Sequence, residues 1–98
     1  MALPETLNIL GLDHRVVREE SEHFTSEYYG QLDSTKQTIR IGSHISGDLE
    51  RETLLHEVLH GVDFAMRTEL AEGDVLRLAR GLYAVLRANP ALVAYLTK

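Results

Sequence analysis

Glu52-Thr53-Leu54-Leu55-His56-Glu57-Val58-Leu59-His60-Gly61-Val62-Asp63 is the stretch from which the rest of the chain can be read. Around it Leu55, Val58, Leu59, Val62 and Met66 recur at helical spacing, and Gly47-Asp48 offers a start signal. On that helix His56 and His60 stand one turn apart on the same face, so both imidazoles can reach one ion. Glu57 is rotated about 100° from His56, beside the ion and not on it. The chain has no cysteine, which excludes disulfides and thiolate ligands. A metal must therefore be held by imidazole and carboxylate, and zinc suits that donor set. Zinc lowers the pKa of a bound water to about 7 and polarises a carbonyl. Glu57 is then placed to take the water's proton, and a peptide would be cut without a covalent intermediate. His-Glu-x-x-His also arises by chance on amphipathic helices, where two histidines are simply solvated or hydrogen-bonded.

A third ligand is needed. Asp63 and Met66 stand where other zinc enzymes of this motif place a Gly and a third His. A carboxylate from the next helix is the natural donor, with Glu69, Glu72 and Asp74 as candidates. Glu72 precedes Val75 by three and Ala79 by seven, which continues that helix's inward stripe, whereas Glu69 falls before the helix. Glu72 is the choice. The plainer account is that an acidic residue is favoured in a first helical turn. Asp63 reads as a residue of the ligand surroundings or of the helix end. His14, His23 and His44 lack ligand-like spacing and read as surface or loop residues, His44 being close enough to the helix to keep in view. Tyr28, Tyr29 and Tyr83 have the chemistry of an oxyanion stabiliser, but packing is their commoner role.

Upstream, Thr6–Leu10 and Arg15–Arg18 read as short strands. Tyr28–Leu32 and Gln37–Ile41 flank the polar Asp33-Ser34-Thr35-Lys36 and read as a hairpin. Strand Gln37–Ile41 is a candidate sheet edge for binding an extended peptide. The charged segment between Glu19 and Glu27 is open to helix or loop. Downstream, Val75, Leu78, Ala79, Leu82 and Leu86 share a helix face, with Gly81 allowing close packing against a neighbour. Asn89-Pro90 ends that helix and starts a short last one. Strands first and helices after predict an α+β domain, with a small, mainly antiparallel sheet packed on the His-bearing helix and a second, ligand-bearing helix.

With 98 residues the chain fits one domain, residues 1–98, and its 44% apolar content must build a core from Leu, Val, Ile and Ala, since Trp is absent. The net charge of −5, without a Lys/Arg cluster, argues against nucleic acid and membrane surfaces as partners. The N-terminal MALPETLNILGL lacks the basic region of a secretory signal, so the expectation is cytoplasmic. Oligomeric state is not legible.

The Glu52–Asp63 stretch, followed by Glu72-x-x-Val75-x-x-Leu78-Ala79-x-Gly81-Leu82, resembles the small phage- and prophage-type zinc metallopeptidases related to the ImmA/IrrE group. Tyr29-Gly30-Gln31-Leu32-Asp33 and Gln37-Thr38-Ile39-Arg40-Ile41 resemble that family's hairpin, so the likeness spans Tyr28 to Pro90. It implies a minimal zincin-like fold of the gluzincin type, with zinc ligands His56, His60 and Glu72 and Glu57 as general base. It also implies cleavage of regulatory proteins such as repressors. These 98 residues depart from the group in showing no evident helix-turn-helix or substrate-docking domain, and Ala71 stands where a polar helix cap is expected. The function expected is zinc-dependent endopeptidase, with a protein or peptide as substrate. The alternative is a weakly active or inactive zinc-stabilised interaction module.

Overall fold

The computed structural model describes residues 2–20 and 29–98. Its elements run β1 (Thr6–Ile9), β2 (Leu12–Glu19), β3 (Gly30–Asp33), β4 (Thr38–Gly42), α1 (Gly47–Met66), α2 (Glu72–Ala88) and α3 (Pro90–Leu96). The expected α+β architecture is present, but among the described residues the sheet packs on α1, and α2 lies against α1 and not on the sheet as expected. His23, Tyr28 and most of the segment between Glu19 and Glu27 lie outside the described residues.

The four strands form one mixed sheet in the order β1-β2-β4-β3. β1 and β2 pair antiparallel, as do β3 and β4, while β2 and β4 run parallel. β4 is therefore an inner strand. That corrects the sequence-based expectation of an edge at Gln37–Ile41: the hairpin folds back so that its second strand docks beside β2, and β3 becomes the outer strand. The alternation of polar and apolar residues in Thr38-Ile39-Arg40-Ile41 predicts a half-buried strand, but as an inner strand β4 buries Thr38 as well. Ile39 and Ile41 are fully buried, and Arg40 turns away to pair with Glu19 at 3.1 Å and Asp33 at 3.8 Å.

β1 and β2 join through Leu10 and Gly11, whose φ angles are 51° and 92°. Positive φ at both central residues is the turn that matches strand twist. Asn8 braces it, its side-chain oxygen accepting from Gly11 N at 2.9 Å and its amide donating to Asp13 at 3.0 Å. Leucine is poorly suited to this backbone region, where it costs roughly 1 kcal/mol. Leu10→Asn is expected to raise stability by about 0.5–1 kcal/mol in urea unfolding, because asparagine tolerates that conformation.

The core consists of Ile9, Val16, Ile39, Ile41 and Ile45, with Leu54, Val58 and Val62 of α1 packed against it. The fully sheltered line along α1 is Thr53, Glu57 and Gly61, one turn apart. A Cβ at Gly61 would stand 3.0 Å from Ile9 Cδ1, so glycine lets the helix lie close on β1. The apolar stripe read from the sequence is thus only partly the buried face: Leu55 and Leu59 are half-buried and Met66 is exposed. The reason is that α1 packs against both the sheet and α2, so shelter extends over two faces. His14 is not a surface residue. It is buried on β2, and its Nδ1–H donates to the Leu12 carbonyl at 2.9 Å.

α2 buries Val75 and Ala79, but Leu78 and Leu82 are exposed, and Gly81 faces open space instead of a neighbour. Asn89-Pro90 separates α2 from α3 as expected, Pro90 being the first helical residue. Tyr83 and Arg87 of α2 both donate to the Asp48 carboxylate near the start of α1, which clips the two helices together. Among the described residues no helix is long and apolar enough to cross a membrane.

Candidate metal centre

α1 carries His56, Glu57 and His60 into a cleft of about 650 Å³ between the helix, strand β3 and α2. The loop after α1 turns sharply, with Arg67 and Glu69 both at positive φ (53° and 56°). Asp63 holds that turn. Its backbone carbonyl accepts from the amides of Arg67 and Thr68, and its carboxylate from the Thr68 hydroxyl and, at 3.0 Å, from Leu70 N. Those hydrogen bonds, Leu70 first, hold the Asp63 carboxyl below the usual carboxylate range. Asp63 is accordingly a helix-end residue, one of the two readings its position allowed.

The turn delivers Glu72 to the histidines. His56 Nε2 lies 2.7 Å from Glu72 Oε1, His60 Nε2 lies 2.8 Å from Oε2, and the two Nε2 atoms are 3.0 Å apart. His56, His60 and Glu72 can together hold a metal ion, since ligand atoms of all three lie within 4.8 Å of one another. Their spacing fits such an ion. Two nitrogens each about 2.0 Å from a tetrahedral centre stand about 3.3 Å apart, a few tenths more than observed. Electron-pair donors gathered this closely need a proton or a cation among them.

Of the three carboxylates considered from sequence, Glu72 is the one brought to the histidines. Asp74 is engaged by Arg77 at 2.7 Å, and Glu69 lies in the turn. The geometric reason differs from the one the stripe suggested. The Glu72 side chain is 66% exposed at the mouth of the cleft, not sunk in an apolar face.

Glu57 is only 7% exposed, and burial pushes its carboxyl up to about 7, reinforced by the nearby charge of Glu72. A hydrogen bond from the backbone amide of Leu32 opposes the rise. That amide is available because of the sheet's register. Gly42 N donates to Tyr29 O at 2.8 Å, so position 29 faces β4. By the alternation of an antiparallel ladder positions 31 and 33 also face β4, while the backbone groups of Gly30 and Leu32 face outward. A Cβ at Gly30 would stand 2.8 Å from Thr53 Cγ2, so this glycine lets β3 lie against α1 near Glu57. Sequence reasoning missed the Leu32 contact, which no side-chain pattern announces.

Folding has a pH signature here. Glu57 keeps a proton in the folded, metal-free protein up to about pH 7, whereas its ordinary value is 4.5. Between those values folding takes up a proton, so stability falls as pH rises through the window and the loss is complete above it. The predicted loss is about 3 kcal/mol. Urea unfolding of metal-free protein should find Glu57→Gln close to wild type at pH 4.5 and more stable by that order at pH 8. A cation at the neighbouring ligands moves the window to lower pH.

Of the remaining sequence candidates Tyr29 reaches the cleft, and the others stand apart from it or lie outside the described residues. Tyr29 lines the cleft, with Phe64, Leu76 and Arg80 forming other parts of its wall. Tyr83 is committed to Asp48. His44 packs beside the Tyr29 ring, 5.9 Å between centroids, and is not among the residues that line the cleft. No protein-family model, curated protein or solved structure matches this chain.

Proposed function

We propose that the chain is a zinc-dependent endopeptidase of minimal size, the zinc held by His56, His60 and Glu72. The observation that carries this reading is the meeting of those three ligands next to a buried carboxylate, Glu57, held by a strand's backbone. A structural metal site has no use for that fourth group. A zinc ion bound there supplies Lewis acidity, which acidifies a water and polarises a peptide carbonyl.

The chain's own residues do the rest. Glu57 takes the proton of the attacking water as the oxygen bonds to the carbonyl carbon. It passes that proton to the amide nitrogen as the C–N bond breaks, leaving a carboxylic acid and an amine. The acid's remaining proton goes to the amine to give a carboxylate and an ammonium. Its burial suits the task, since desolvation raises the carboxylate's affinity for the proton it must take up. The Leu32 amide fixes the carboxylate's orientation. An extended peptide can add to the outer side of β3 through the backbone of Gly30, which faces outward beside the ligands. Leu32 N–H is engaged with Glu57, so Gly30 is the donor for that pairing. The resemblance to the ImmA/IrrE group extends the reading to regulatory proteins as substrates, and to a cytoplasmic setting.

The test is to load the protein with zinc and incubate it with an unstructured protein. Fragments should appear, and chelation should stop their formation. Zinc bound without cleavage of any unstructured protein supplied would replace this reading with that of a zinc-stabilised interaction module.

A further inference from the structure

The last two helices leave large apolar side chains in solvent. Leu78, Leu82 and Val85 of α2 and Leu92, Tyr95 and Leu96 of α3 are all exposed, Tyr95 at 78%. At 100° per residue the three α2 positions share one face, alongside the buried Val75–Ala79 line. Half of an apolar arc is therefore covered by α1 and half is not. α3 is more extreme. Its seven residues, PALVAYL, include no charge and none is buried, and α2 is the element it packs on. A helix of that length does not hold together in water unaided.

Together the six residues expose on the order of 600 Å², near the roughly 800 Å² each partner contributes to a standard interface. Charge says which partner fits. Residues 1–74 hold all 15 acidic and six of the 10 basic residues, a net −9, while residues 75–98 hold the other four basic residues and no acidic one. An arm-to-arm contact brings no carboxylate of residues 75–98 against another, and with its three arginines already paired the arm is close to neutral. Arg77, Arg80 and Arg87 already face Asp74, Glu52 and Asp48, which leaves little positive charge to attract an anionic bilayer.

We propose that this face is a homodimer interface, the α2–α3 arms of two copies packing on each other about a two-fold axis. It is independent of the metal centre, so loss of zinc chemistry would leave it standing.

Light scattering on the eluting protein at about 50 μM tests it, a concentration above the Kd of a micromolar dimer. The 11.0 kDa chain should elute with a mass of about 22 kDa. Leu82→Glu and Tyr95→Glu should each return it to the single-chain mass with helical circular dichroism kept. Leu10→Glu, at the exposed β1–β2 turn, should stay dimeric. A single-chain mass for wild type overturns the proposal, whether or not the protein binds anionic vesicles. So does dissociation by Leu10→Glu, or a dimer mass that survives both arm substitutions. Should the arm variants not fold, a nitroxide on Ala91→Cys in this cysteine-free chain decides. A defined distance between two labels supports the interface, and no dipolar coupling contradicts it.

Discussion

Glu57→Gln is expected to lower peptide hydrolysis by about 10²–10⁴-fold, the usual contribution of a positioned general base. Glutamine keeps the volume and can still accept the Leu32 amide, so β3 and α1 stay in register, but it cannot take a proton from water at neutral pH. The ligands are untouched, so zinc content should match wild type. Both halves matter. Lost cleavage with lost zinc would mean that the substitution disturbed the metal, whereas retained cleavage within a few-fold would remove Glu57 from the chemistry. The companion readout is the greater stability of the metal-free variant at pH 8. It follows from the same burial that raises Glu57 to about 7 and needs no substrate.

The second large effect is at Glu72. Apparent zinc affinities of about 10–16 kcal/mol, shared among three or four ligands, give each about 3–4 kcal/mol. Glu72→Ala should therefore weaken zinc binding by about 10²–10³-fold in competition with a chelator. Glu69→Ala should leave affinity nearly unchanged, because Glu69 sits in the turn and not at the histidines. Asp74→Ala should likewise spare it, since that carboxylate is occupied by Arg77. An affinity loss larger for Glu69→Ala than for Glu72→Ala would reverse the assignment. Glu72→Ala should also lower the proton affinity of Glu57, by removing the neighbouring negative charge.

Much of this site is local, and local features are written in spacing. His56 and His60 converge because four residues make about one turn, and Asn89-Pro90 stops α2 because proline cannot continue it. The hairpin around Asp33–Lys36 is legible from the polar turn between two β-type runs. Other features depend on pairings far apart in the chain. Whether β4 or β3 ends the sheet is decided by the parallel docking of β4 on β2, which the hairpin's own residues do not encode. With the strand order went the Leu32 amide on Glu57, since only an outer strand has that amide to give.

Packing misled in a different way. Helical periodicity marks apolar positions but not which neighbour covers them. Leu78 and Leu82 therefore read as core and emerge exposed, and Gly81 meets nothing. His14 went the other way, because one short hydrogen bond to its own strand suffices to satisfy a buried imidazole nitrogen. Glu72 was identified by a stripe argument that its exposure does not support. The position serves because the Asp63-braced turn brings the start of α2 to the histidines.

The most direct measurement is the zinc stoichiometry of chelator-stripped protein by equilibrium dialysis. It should be compared with that of a variant combining His56→Ala, His60→Ala and Glu72→Ala. One ion per chain in the wild type and none in the variant is the predicted result. A wild type that takes up no zinc, or a variant that binds as well as the wild type, would contradict it.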